Sequence, residues 1–126
     1  MKSLAMSRLG GLSATSSSMS PCGAIALYAG LTIAHALGGV IGLSTYLPAP
    51  DELLQKRSAM RPPILIQHGT EDVIILPEYA ELSCDILREM GYTPEFDLYP
   101  IGHTIYRPLL DRIQAWMCDI LETRLA

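Results

Sequence analysis

Apolar residues along this chain fall into continuous runs, one alternating run and several stretches with a helical period. Val40–Ser44 and Ile64–Gln67 carry no polar alternation, which predicts strands covered on both faces. Glu95–Tyr99 alternates instead, as a half-exposed edge strand does. The stretch that opens Ala24-Ile25-Ala26-Leu27-Tyr28-Ala29 is apolar all round and predicts a helix packed under the sheet. A further helix starts at Pro77, a favoured first-turn position, with Glu78 and Glu81 at its positive end and Gly91 stopping it. Tyr79, Leu82, Ile86, Leu87 and Met90 form its apolar stripe. The last helix runs from about Pro108 to Leu125, with Leu109, Leu110, Ile113, Trp116, Met117, Ile120 and Leu121 on one face. Tyr46–Pro50 is a turn, and Asp51–Ser58 a short polar helix or loop. Helices alternating with strands across short connections give a three-layer α/β fold, with parallel strands and helices on both faces.

The length of 126 residues allows one domain, spanning 18–126, preceded by an irregular segment at 1–17. Leu4-Ala5-Met6 is too short for a secretory apolar core, and Ser13–Ser20 is a serine-rich tract that offers little to a core. No charged residue occurs between Arg8 and Asp51, so Ala24–Leu47 has the length of a membrane span. Gly38-Gly39 breaks it into a helix and a strand, which argues against a span. A net charge of −4 and a pI near 5.2 provide no basic patch and argue against nucleic acid. Cys22, Cys84 and Cys118 are scattered and odd in number, which suits free thiols in a reducing compartment rather than a disulfide framework or a metal site.

The chemistry gathers where strands end. Ile64–Gln67 runs into His68-Gly69 and then a loop carrying Asp72, and Glu95–Tyr99 runs into Gly102-His103. One helix lies between these strands, so they pair in parallel and both loops leave at the C-terminal edge, where ligands sit in open α/β sheets. An Asp and a His brought together there form the orienting half of a catalytic triad. Each also has a structural use: Asp72 as a turn residue, His103 as a surface histidine before a helix, Ser20 as a helix cap. His68 reads as a ring tucked under the strand end, and His35 as a helix-end residue.

Ser20-Pro21-Cys22-Gly23-Ala24-Ile25-Ala26-Leu27-Tyr28 resembles the turn and helix after the nucleophile in the phospholipase/carboxylesterase family of α/β-hydrolases, which includes the acyl-protein thioesterases. Gly42-Leu43-Ser44-Thr45-Tyr46-Leu47-Pro48, His68-Gly69-Thr70-Glu71-Asp72 and Tyr99-Pro100-Ile101-Gly102-His103 are similar to later segments of that family, in the same order. The resemblance covers about Ser18 to the C-terminus and makes the chain the C-terminal portion of such a domain, N-terminally truncated. It implies Ser20 as nucleophile, His103 as general base and acid, Asp72 as its orienter, and Leu47 and Pro48 near the acyl pocket. It further implies a cytoplasmic serine hydrolase of carboxylic esters or thioesters, lipidated proteins and lysophospholipids among the candidate substrates, with no cofactor or metal.

Two departures bear on activity. Pro21 follows the proposed nucleophile and lacks the backbone N–H that should stabilise the oxyanion. Only nineteen residues precede Ser20, too few for the upstream strands and the second oxyanion donor. Gly11-Leu12-Ser13 is a second, incomplete Gly-x-Ser approach, which makes Ser13 a rival nucleophile. An impaired hydrolase and a non-catalytic remnant that acts as an interaction module or folds poorly both remain open, and in either the uncovered sheet edge invites self-association.

Overall fold

The computed structural model of the protein describes residues 22–35 and 37–125; the segment 1–17, and with it Ser13, lies outside them. Helix α1 spans Cys22–Thr32, strand β1 Val40–Leu43, helix α2 Pro50–Lys56, strand β2 Ile64–Gly69, helix α3 Pro77–Glu89, strand β3 Glu95–Tyr99 and helix α4 Arg107–Leu125. The strands form a parallel sheet in the order β1-β2-β3. Val40 pairs with Ile64, and Leu65 with Glu95. The central strand is buried at every position, as its unbroken aliphatic run requires. β1 stops one residue short of expectation because Ser44 turns into the left-handed region, with φ 49°.

One face of the sheet presents Val40, Ile64 and Ile66 to a core with Leu27 and Leu31 of α1, Leu53 of α2, and Ala80 and Leu87 of α3. Leu53 is fully buried, which is what makes the otherwise polar Pro50–Lys56 segment a docked helix. Burying each such leucine contributes about 1.5–3 kcal/mol. Cys84 lies in the same core, and burial pushes its thiol up to about 12; Cys118 is exposed, and neither forms a disulfide.

The other face carries Gln67, whose Nε2 donates to the Leu109 carbonyl (3.3 Å) and the Tyr99 hydroxyl (3.2 Å). There α4 is clamped to β3. Trp116 Nε1 donates to Glu95 Oε2 at 2.6 Å, and Arg112 bridges Glu95 and Asp97 at 2.9 and 3.0 Å. Half-exposed ion pairs of this kind contribute up to about 1 kcal/mol. Losing a buried Trp costs about 3–5 kcal/mol. Trp116, only 4% exposed, is therefore the main fastening.

Three expectations about faces change. On α4, Leu109 and Trp116 are buried, but Leu110, Met117 and Leu121 are exposed, because the three strands among the described residues cover only part of so wide a stripe. On α1, Ala24, Leu27 and Leu31 face the core while Ile25 is exposed, as is Ile33 just past the helix, so a helix apolar all round is covered on one side. In β3 the alternation is blurred: Phe96 packs on the core, Leu98 is exposed, and Asp97 is half covered by Arg112. Among the described residues no helix is long and apolar enough to cross a membrane, and α1 ends at Thr32, before the exposed His35.

Candidate active site

All three strands end at one edge of the sheet, and the candidate chemistry lies just past them. Beyond β2 the chain makes a tight turn held to the loop after β3. Thr70 N donates to Tyr99 O at 2.8 Å and Glu71 N to Ile101 O at 3.0 Å. This zipper sets Asp72 and His103 side by side although thirty-one positions separate them.

The Asp72 carboxylate is buried and fully engaged. Its Oδ1 accepts the amides of Ile74 and Ile75, each at 2.9 Å, and its Oδ2 accepts from His103 Nδ1 at 2.8 Å. Burial alone would raise its pKa; the Ile75 amide, the His103 ring and the Ile74 amide outweigh that and hold it below the usual carboxylate value. An ionised carboxylate can only accept, so His103 Nδ1 carries a proton. In the neutral ring Nε2 then keeps its lone pair. That tautomer can take a proton from a hydroxyl and return it to a leaving group.

His103 borders an open groove of about 630 Å³. Gly23 and Ala26 of α1, Ile41 and Leu43 of β1, and Ser44, Thr104 and Ile105 complete its lining. The opening turns of α1 therefore face the same space as the imidazole. Gly23 is small for a reason: a Cβ there would stand 2.6 Å from Thr45 Cβ.

Of the residues singled out in the sequence, Asp72 and His103 are brought together. Ser20 and Pro21 lie outside the described residues, immediately before α1 in sequence. Leu47 and Pro48 are not brought to this groove. The chain turns at Ser44, and Thr45, Tyr46 and Leu47 are buried. Leu47 is fully covered in the core, its amide held by Ser83 Oγ at 2.8 Å, and Pro48 is half-buried. Ser44, Thr104 and Ile105 are groove residues that the sequence does not single out as site residues; their positions just past strand ends or beside His103 are the available clue. His68 is fully buried, as a ring under the strand end should be. Among the described residues no group of three His, Cys, Asp or Glu side chains could hold a metal ion.

Comparison with known proteins shows the family of the chain. The model of the phospholipase/carboxylesterase family matches residues 19–119. Acyl-protein thioesterase 1 of Gibberella zeae is 35% identical over 100 residues, covering 75% of this chain and 43% of that protein. Carboxylesterase SOBER1 of Arabidopsis thaliana is 34% identical over 102 residues, covering 79% of this chain and 45% of that one. The crystal structure of SOBER1 superposes with a TM-score of 0.75 at 33% identity, covering 79% of this chain and 49% of that chain. Esterase PE8 superposes with a TM-score of 0.72 at 29% identity, covering 78% and 46%. The chain thus spans less than half the length of these relatives.

Proposed function

Because the chain belongs to the phospholipase/carboxylesterase family, whose parallel sheet and helices here are the C-terminal portion of an α/β-hydrolase fold, we propose that it is a serine hydrolase of carboxylic esters and thioesters. In this reading Ser20 Oγ attacks the acyl carbonyl carbon while His103 Nε2 takes the hydroxyl proton. The imidazolium returns that proton to the departing alkoxide or thiolate, leaving an acyl-enzyme. Water, deprotonated by His103, then releases the acid and frees Ser20. Asp72 holds the ring in the tautomer both steps need. Lipidated proteins and lysophospholipids are the substrate candidates, and the compartment is cytoplasmic.

The observation that carries the reading is the 2.8 Å His103–Asp72 bond beside a groove that α1 also borders. Ser20 stands two positions before Cys22, where that helix opens. The test uses short-chain aryl esters, acyl thioesters and a fluorophosphonate probe on the natural chain and on Ser20→Ala. Turnover and labelling that vanish together in Ser20→Ala support the assignment. Hydrolysis that survives the substitution overturns it.

The exposed apolar residues favour a second reading, in which the chain works through its surface. Ile25 is 61% and Leu121 57% exposed, and the outer edge of β1 is unpaired among the described residues. A second copy of the chain is the occupant proposed for that edge. No charged residue lies from position 22 to 50, so two copies meeting along α1 and β1 bring no like charges together there.

A further inference from the structure

Two imidazoles approach Asp72 Oδ2, and only one of them borders the groove. His103 Nδ1 bonds it at 2.8 Å, whereas His68 Nε2 stands 3.4 Å away. The stronger contact of His68 Nε2 is with the Ile75 carbonyl oxygen, at 2.7 Å. Both neighbours of Nε2 are acceptor oxygens, so Nε2 is the protonated nitrogen. Ile75 is fully buried, and its own amide is one of the two that bond Asp72 Oδ1. His68 and Asp72 thus grip opposite poles of the same peptide-bearing residue.

We infer that His68 is a positioning residue: by donating Nε2–H to the Ile75 carbonyl it fixes the 72–75 loop, and through it the carboxylate that orients His103. A ring that merely filled the core would serve better as an apolar side chain. His68 is completely buried, and among the described residues its Nδ1 has no hydrogen-bond partner. Leaving a buried acceptor unmet is unfavourable, and a leucine of similar bulk would avoid it. The Nε2 bond is what offsets that cost. Without the donor, the Ile75 carbonyl loses its buried partner and the loop can rotate both amides away from Oδ1.

This inference rests on the Asp72–His103 pairing of the proposed function, so its test reads that pair directly and needs no turnover. A His103 Nδ1–H bonded to a carboxylate gives a downfield, slowly exchanging proton resonance. Asp72→Asn and His103→Gln, each lacking that bond, assign the resonance in the full-length chain. His68→Gln keeps a donor near the Nε2 position, His68→Asn places it near Nδ1, and His68→Leu removes it. The expected result is a resonance retained in His68→Gln and lost in His68→Asn and His68→Leu, with cooperative thermal melts for the variants compared. A folded His68→Leu with an unchanged resonance overturns the inference. Should His68→Leu fail to fold, the Gln and Asn variants decide: equal resonances in both overturn it. An inert natural chain with the resonance intact sinks the hydrolase reading and leaves this one standing.

Discussion

Gly69 and Ile101 approach so closely that a Cβ on Gly69 would stand 2.1 Å from the Ile101 carbonyl oxygen. The Gly102 carbonyl oxygen would be 2.6 Å from the same atom. Both neighbours are backbone, so neither can swing aside as a side chain would. The glycine is therefore what lets the His103 loop lie against the end of β2. Its φ is not in the left-handed region, and the requirement is one of space.

Gly69→Ala is expected to push the 101–103 loop outward and break the His103–Asp72 bond. Overpacking of this kind costs about 1–3 kcal/mol. Chemical denaturation should show a lowered midpoint, and the downfield His103 proton should disappear. An unchanged midpoint with the proton retained would mean that the pair does not depend on this close approach.

Acid should expose the role of the Asp72 carboxylate. Its pKa is held below the usual value in the folded protein, so the stability it contributes is complete above the ordinary carboxylate pKa of about 3.9. That contribution is lost as the pH falls through the lower folded value. Asp72→Asn removes the titration. The stability difference between the natural chain and Asp72→Asn should be flat above pH of about 5 and shrink below about 4. A difference that grows on acidification would contradict a carboxylate held below its ordinary pKa.

The parts of the fold legible in the sequence were those fixed by local pattern. Ile64–Ile66 could only be a strand covered on both faces, and Pro77 with Gly91 bracketed α3 because one lacks an N–H and the other takes φ 96°. Asp72 and His103 were legible because parallel neighbours bring their following loops to one edge. What each helix faces was not legible, since it depends on how much sheet is there to cover it. Leu110, Met117 and Leu121 look the same in sequence as Leu109 and Trp116, yet only the latter pair is buried. The burial of Leu47 was not legible, because neither the positive φ at Ser44 nor the Ser83 contact from thirty-six positions away leaves a local trace. The resemblance carried Ser20 and Pro21, and no described contact bears on them.

Self-association should follow from the uncovered surfaces. Ile25 on α1 and Ile33 just past it are 61% and 43% exposed, and the outer edge of β1 has no strand beside it among the described residues. Exposed apolar area of this kind beside an open edge favours pairing. Light scattering and size-exclusion chromatography should find dimers or larger species at high concentration. Ile25→Glu should shift them toward monomer without lowering the thermal midpoint, because residue 25 faces away from the core. A clean monomer for the natural chain at high concentration would sink the paired-edge picture.

Pro21 should limit turnover. In the proposed reaction the tetrahedral oxyanion needs backbone donors, and the residue after the nucleophile normally supplies one. Proline has no N–H, so Ser20 would be followed by the one residue type unable to serve. A single oxyanion donor is worth about 10²–10³ in turnover. Pro21→Gln should therefore raise kcat on aryl esters and acyl thioesters by that order, while KM changes little, since the donor acts on charge that develops only in the transition state. If Pro21→Gln matches Ser20→Ala in every assay, the missing N–H is not what limits the chain, and the second donor is. If the natural chain already turns over rapidly in a Ser20-dependent way, other groups serve the oxyanion. The exposed Thr104, in the groove beside His103, would then be the first to replace, by Val.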